Sequence, residues 1–194
     1  MMTLPNILTL FRIFLTPVFI VCLFAEFPSA HSWALTIFIV ASITDALDGY
    51  YARKNDMVTD TGRFLDPLAD KILVSSAFIS FAIMGLIDFW MVGLILFRDF
   101  FVTGLRVIMS RKGLTMMTSS VAKSKTGVQI GIIIFTLLVL SLKGLDWSFL
   151  RDYLQFVKEY HLVYYLTMIA AVFTVYTGFI YVQENSKAIR KIMN

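Results

Sequence analysis

The sequence predicts an all-α integral membrane protein with six transmembrane helices. Hydrophobic residues make up 58% of the 194-residue chain and charged residues 15%, and the mean hydropathy is +0.78. A composition of this kind is too apolar for a water-soluble globular protein. Six segments approach the ~20 apolar residues that a helix needs to cross the hydrocarbon core. The chain length favours a single domain over residues 1–194.

The first apolar segment begins at Pro5 and ends near Ala25. Its polar residues recur at helical spacing and predict a polar stripe, formed by Asn6, Thr9, Arg12 and Thr16. We therefore expect an N-terminal interfacial amphipathic helix, followed after Ile13 by the first span, with a bend at Pro17. A cleaved signal peptide is the alternative, but Arg12 lies too deep for one and cleavage would leave an odd number of spans.

Five further spans are expected at about residues 33–53, 62–84, 89–109, 125–142 and 162–182. Between the last two spans, apolar residues recur at helical spacing with charged residues on the opposite face. The apolar stripe contains Trp147, Leu150, Tyr153, Leu154, Val157 and Tyr160, and the charged face contains Arg151, Asp152, Lys158 and Glu159. This pattern predicts a short helix that lies on the membrane surface.

Six spans place both termini on one side of the membrane, and the loop charges indicate which side. Twelve Lys and Arg residues fall on the side that holds residues 54–61, whereas only Lys143, Arg151 and Lys158 fall opposite. The positive-inside tendency therefore predicts cytoplasmic termini. A net charge of +4 fits contact with anionic lipids and phosphorylated substrates, and the chain has no basic run typical of nucleic-acid binding.

The stretch from Asp45 to Asp70 carries six of the chain's thirteen carboxylates, with apolar spans on both sides. Carboxylates at the edge of a bilayer are costly unless they are paired or metal-bound, so they indicate a functional site. Asp45 and Asp48 share one helix face, and Asp66 and Asp70 share a face of the next helix. If these helices are antiparallel neighbours, the four carboxylates meet and suit Mg²⁺ or Mn²⁺.

Two small residues, Gly49 and Ala52, lie on the same helix face as the first acid pair. A flat ligand could approach the backbone there, and the acids could hold a nucleotide diphosphate through bridging metal ions. The stretch resembles the signature of the CDP-alcohol phosphotransferase family, D-x2-D-G-x2-A-R-x8-G-x3-D-x3-D. Eight positions match it without a gap: Asp45, Asp48, Gly49, Ala52, Arg53, Gly62, Asp66 and Asp70.

A purely structural role for these acids is the alternative. Asp66 before Pro67 has the pattern of an N-cap followed by proline at the first helical position. Asp60 would then lie in a solvated loop. Neither capping nor a loop explains Asp45 and Asp48, because these two acids end an apolar run.

A second group of charged residues begins in the middle of the fourth span with Arg98 and Asp99. Arg106 follows roughly 12 Å along the helix axis, and Lys123 and Lys125 stand at the start of the fifth span. Arg98 and Asp99 could form only a structural ion pair, but cations that converge from two helices suit a phosphate. This region resembles the branch of the family that uses glycerol 3-phosphate, although Asp99 stands where glutamate is usual.

The resemblance implies transfer of a phosphatidyl group from CDP-diacylglycerol to sn-glycerol 3-phosphate, with release of CMP. It implies two Mg²⁺ or Mn²⁺ ions on Asp45, Asp48, Asp66 and Asp70, with Asp70 as the general base. The residues expected at the CDP moiety are Asn6, Asp45, Asp48, Gly49, Ala52, Arg53 and Gly62. Those expected at the acceptor phosphate are Arg98, Arg106 and Lys123, with Arg12, Arg63 and Lys125 as weaker candidates.

The same resemblance implies a homodimer in contact with membrane lipids, in a bacterial inner membrane, with the active site facing the cytoplasm. A different acceptor is the first alternative: phosphatidylglycerol, inositol phosphate or serine. A lipid acceptor would not need a pocket of three cations. A divalent-cation transporter is a more distant alternative, and it leaves Gly49, Ala52 and Gly62 unexplained.

Overall fold

The computed structural model describes residues 4–54, 60–112, 120–143, 148–186 and 188–189, with side chains for 9–45, 71–109, 112, 124–143, 150–186 and 188–189. Within these ranges, every long element is an α-helix, which confirms the all-α class. The helices are α1 (Leu4–Phe24), α2 (Ala30–Lys54), α3 (Asp60–Ile83), α4 (Phe89–Arg111), α5 (Ser120–Leu142), α6 (Ser148–Glu159) and α7 (Leu162–Glu184). The bounds agree with the predicted segments to within a few residues.

The polar stripe of α1 faces the interior of the bundle. Thr9, Arg12 and Thr16 are each at most 3% exposed. Pro17 lies within this one continuous helix, and the Thr16 hydroxyl donates a hydrogen bond to the carbonyl of Arg12 at 3.0 Å. The structure therefore has no helix boundary at Ile13, and an interfacial position of the N-terminal turns stays a prediction.

Helix packing places the core at the centre of the bundle. Contacts run from α1 to α2 and α3, from α5 to α2 and α7, and from α4 to α3 and α7. The buried rings of Phe19 and Phe38 join α1 to α2, with 5.7 Å between their centroids. Fully buried alanines such as Ala34, Ala41 and Ala77 allow the helices to approach closely.

The outer surface of the bundle is strongly apolar. Large side chains that are at least 60% exposed include Phe14, Val21, Phe97, Ile169 and Phe179. Among the residues whose side chains are described, two helical segments are long and apolar enough to cross a membrane, Ser124–Leu142 and Leu162–Glu184. Exposed apolar area of this extent suits lipid better than water, so the fold is that of a membrane protein, while the number of crossings stays a prediction.

Candidate active site

The first half of the acidic motif lies in α2 and the second half in α3. Asp45 and Asp48 fall in the second half of α2, and Asp66 and Asp70 fall in the first half of α3. Both acid pairs therefore have the helical spacing that the sequence predicts. Only residues 55–59 separate the two helices, so the length of this stretch limits the distance between their motif-bearing ends.

The N-cap interpretation of Asp66 is wrong. Helix α3 begins at Asp60, so Asp66 and Pro67 lie inside the helix and not at its start. Capping therefore does not account for this acid. The expected contacts of the remaining motif and acceptor residues fall outside the described side chains and stay predictions; these residues are Asn6, Asp48, Gly49, Ala52, Arg53, Gly62, Arg63, Asp66, Asp70 and Lys123.

Asp45 forms an ion pair with Arg12 of α1. Only 1% of the Arg12 side chain is exposed, against 35% of the Asp45 side chain. A buried arginine is costly unless an anion compensates its charge, so this pair ties α1 to the motif-bearing end of α2. Arg12 thus lies at the first acid of the motif, whereas the sequence suggests it as a weaker contact for the acceptor.

The donor set of the motif fits a hard divalent cation. All four acids offer carboxylate oxygens, which Mg²⁺ and Mn²⁺ prefer. The Asp45 carboxylate is partly exposed beside Arg12 and so stays accessible to a ligand. Among the described side chains, no three His, Cys, Asp or Glu residues come together, and Asp45 is the one motif acid whose side chain belongs to that set.

Asp99 lies between two cations from different helices. Its Oδ1 accepts hydrogen bonds from Lys125 Nζ of α5 and from Arg98 Nη1 of α4, the latter at 3.4 Å. Asp99 is 7% exposed and Lys125 is 3% exposed. One carboxylate therefore faces two largely buried cations, and the cluster carries an excess of positive charge.

The guanidinium of Arg98 also has unused donor capacity. Its Nε is buried and has no hydrogen-bond partner in the part of the chain that the structure describes. A buried donor without a partner is costly. An anion bound at Arg98 would satisfy this donor and offset the excess charge around Asp99.

A narrow cleft of about 20 Å³ opens beside Asp99, and its polar lining includes Lys71, Ser75, Lys125 and Gln129. Lys71 directly follows Asp70 in α3, so the cleft lies next to the last acid of the motif. Neither Lys71 nor Gln129 was predicted from the sequence as a site residue. The four-residue spacing of Lys125 and Gln129 on α5 is a signal that could have identified the latter.

Helix α7 contacts Arg98 and Arg106 of α4. Gly178 lies beneath the Arg98 side chain: a Cβ at position 178 would stand 2.9 Å from Arg98 Cγ. One turn further along α7, the Tyr181 ring lies under the guanidinium of Arg106, with 6.0 Å between Cζ and the ring centroid. That distance is at the outer limit of a cation–π interaction.

The same face of α7 also reaches α5. Gln129 Nε2 donates to Thr174 Oγ1 at 3.5 Å, and both residues are buried. Thr174, Gly178 and Tyr181 are four and three positions apart, so they line one side of the helix. No function was predicted for this helix, although the spacing of its small and polar residues is visible in the sequence.

Comparison with known proteins identifies the family. A model of the CDP-alcohol phosphatidyltransferase family matches residues 2–177. A CDP-diacylglycerol–glycerol-3-phosphate 3-phosphatidyltransferase of Bacillus subtilis is 44% identical over 142 residues, which cover 67% of this chain and 74% of the relative. An enzyme of the same name from Rickettsia bellii is 38% identical over 184 residues, 95% of this chain and 96% of the relative.

A third relative, a probable phosphatidylglycerophosphate synthase of Mycobacterium tuberculosis, is 42% identical over 144 residues. These cover 73% of this chain and 68% of the relative. The matched residues include the complete acidic motif and the helices that carry Arg98, Asp99 and Lys125. The family match extends over most of α7 as well, up to the residue before Gly178. The chain therefore belongs to the CDP-alcohol phosphatidyltransferase family.

Proposed function

We propose that this chain transfers the phosphatidyl group of CDP-diacylglycerol to sn-glycerol 3-phosphate in phospholipid biosynthesis. A hydroxyl oxygen of the acceptor forms a bond to the phosphatidyl phosphorus, and the bond from that phosphorus to the CMP oxygen breaks. The products are phosphatidylglycerophosphate and CMP. Family membership and the names of the relatives support the reaction.

The excess of buried positive charge around Asp99 is the observation that carries the acceptor assignment. Arg98 and Lys125 share one carboxylate, and Lys71 lines the same cleft. A phosphate dianion would accept charge-assisted hydrogen bonds from these cations and from Arg98 Nε. Counted over the described side chains, an acceptor without net negative charge would leave this excess uncompensated. Arg106 and Lys123 belong to the same proposed pocket, with Arg12 and Arg63 as weaker contacts.

Asp70 is the proposed general base. It precedes Lys71, whose side chain lines the cleft, so its position in α3 is within one residue of the proposed acceptor pocket. A carboxylate there would take the proton of the attacking hydroxyl. The Arg12 contact holds Asp45 at the other end of the motif.

Asp45, Asp48, Asp66 and Asp70 would hold two divalent cations, Mg²⁺ or Mn²⁺, which when bound supply neutralising charge to the pyrophosphate and to the departing CMP. The CDP moiety is assigned to the same ends of α2 and α3, where Gly49 and Ala52 present little side-chain bulk. Its other proposed contacts are Asn6, Arg53 and Gly62.

The proposed enzyme is a single domain over residues 1–194 with six membrane spans. Both termini and the active site face the cytoplasm, and the membrane is a bacterial inner membrane. The exposed apolar belt and the distribution of Lys and Arg support this arrangement. A homodimer is part of the proposal by analogy with the family.

Purified protein tests the reaction directly. It is mixed with CDP-diacylglycerol, Mg²⁺ and one radiolabelled acceptor: glycerol 3-phosphate, inositol, inositol phosphate or serine. We expect labelled lipid and an equal amount of CMP with glycerol 3-phosphate only. Product with another acceptor would mean that the pocket binds that acceptor instead of glycerol 3-phosphate. Divalent-cation flux into liposomes without CMP release would mean that the protein is a transporter and not an enzyme.

A further inference from the structure

A second cavity lies at the end of the bundle opposite the Asp99 cluster. It has a volume of about 250 Å³ and is enclosed by the turn after α3, the last turns of α5, helix α6 and the start of α7. Lys143, at its rim, follows Lys125 by 18 positions along α5, which corresponds to roughly 27 Å along the helix. The cavity is therefore separate from the proposed active site.

The wall of this cavity is apolar. It is formed mainly by Leu86, Val139, Leu140, Leu154, Val157 and Val163. The hydroxyl of Thr136, which also lines it, donates to the carbonyl of Ile132 at 2.8 Å and offers little to water. Water is poorly held in a space of this kind, whereas an apolar chain would gain contacts with every wall residue.

The rim of the cavity is cationic. Lys143 and Lys158 are exposed and line it together with His161. The acid next to the rim, Asp88, already accepts hydrogen bonds from Tyr164 at 2.9 Å and from Trp90 at 3.1 Å. Among the described lining residues, there is no carboxylate to neutralise the two lysines.

We propose that this cavity binds an anionic phospholipid, with one acyl chain against the apolar wall and the phosphate on Lys143 and Lys158. An apolar cavity with two cations at its mouth is complementary to a lipid that carries a net negative charge. A zwitterionic headgroup would bring its own cation to the same rim, and its attraction to the two lysines would be weaker. The proposed site does not depend on the reaction assigned to the chain.

Native mass spectrometry of the full-length protein in detergent tests the site, with phosphatidylglycerol and phosphatidylcholine as matched probes. We expect wild-type protein to retain one phosphatidylglycerol more tightly than phosphatidylcholine. The double variant Lys143→Ser/Lys158→Ser should weaken phosphatidylglycerol binding by about 10–30-fold and abolish the preference. Arg151→Ser is the matched control, because it removes one charge from α6 without touching the cavity lining.

A second variant tests the apolar part of the site. Val157→Phe fills the cavity without changing charge, and it should lower retention of both lipids. Equal binding of the two lipids by wild-type protein would overturn the proposal. So would equal losses in Arg151→Ser and the lysine variant, or full retention in a folded Val157→Phe protein. The lysines are exposed, so their replacement leaves the core intact, and an unchanged Tm in differential scanning fluorimetry serves as the folding control.

Discussion

The α-carbon of Gly178 in α7 faces the side chain of Arg98 in α4 at a distance that leaves no room for a β-carbon. A Cβ at position 178 would stand 2.9 Å from Arg98 Cγ and 3.5 Å from its Nε. The Cγ atom is near the backbone, so Arg98 cannot yield by moving only its guanidinium. The last helix therefore determines where the guanidinium of Arg98 lies.

Gly178→Val should displace Arg98 and raise the KM for glycerol 3-phosphate by about tenfold, through loss of one charge-assisted contact of ~1.5 kcal/mol. The KM for CDP-diacylglycerol should change little. Gly131→Ala is the control, because nothing lies within 4 Å of a Cβ at that position. In an Arg98→Ala background, Gly178→Val should have no further effect on the acceptor KM, and an additive loss would contradict the link between the two residues.

Variants of the ion pair between Asp45 and Arg12 distinguish an effect on activity from an effect on stability. Asp45→Asn should abolish CMP release, because a metal ligand is lost, and should also lower Tm by about 5 °C, because the buried Arg12 loses its ion pair with Asp45. Adding Arg12→Met should recover most of the Tm and none of the activity. Differential scanning fluorimetry and a CMP-release assay measure the two effects. Recovery of activity in the double variant would exclude Asp45 from the metal site.

Asp48→Asn and Asp66→Asn complete the test of the metal cluster. Both variants should lose turnover in the CMP-release assay, and both should weaken Mg²⁺ or Mn²⁺ binding measured by isothermal titration calorimetry, since each removes an anionic ligand. Normal turnover in either variant would remove that acid from the proposed site.

Local patterns in the sequence predicted the helices and the helical placement of the acids. The three-residue spacing of Asp45 and Asp48 predicts a shared face within a single helix, and α2 contains both residues. The sequence also showed the polar stripe of α1, but it did not show that Arg12 pairs with Asp45. An ion pair between residues 12 and 45 depends on how α1 packs against α2, which a periodic pattern does not specify.

The contacts around Asp99 were also not predictable from local patterns. The sequence places Arg98 beside Asp99, but the closest partner of Asp99 is Lys125, which lies 26 positions later on α5. Gly178 comes from a helix with no recognised motif, and its proximity to Arg98 follows from the packing of α4 against α7. The prediction for Asp66 failed for a different reason. An acid before proline is typical of a helix start, but α3 already begins at Asp60, so Asp66 lies inside the helix.

Cysteine labelling tests the topology. In a Cys22→Ala background, Lys112→Cys should react with an impermeant maleimide only from the cytoplasmic face, and Gln155→Cys only from the opposite face. Both side chains are exposed, and they lie at the end of α4 and in the middle of α6. The reverse labelling pattern would invert the proposed orientation, and labelling of both from one face would rule out six spans.

Arg106 distinguishes an acceptor pocket from a donor pocket. It is exposed and lies eight residues after Arg98 on α4, where Tyr181 supports its guanidinium. Arg106→Ala should raise the KM for glycerol 3-phosphate by about tenfold or more while the KM for CDP-diacylglycerol stays nearly constant. Arg106→Lys should recover only part of the loss, because an ammonium cannot reproduce the two-pronged contact of a guanidinium with phosphate.

The measurement varies each substrate at a saturating level of the other, so that the two KM values are separated. Lys112→Ala is the matched control, since it removes a nearby exposed cation from the end of the same helix. If Arg106→Ala instead raises the KM for CDP-diacylglycerol and leaves the acceptor KM unchanged, Arg106 contacts the pyrophosphate of the donor. The cations around Asp99 would then no longer distinguish glycerol 3-phosphate from an uncharged acceptor.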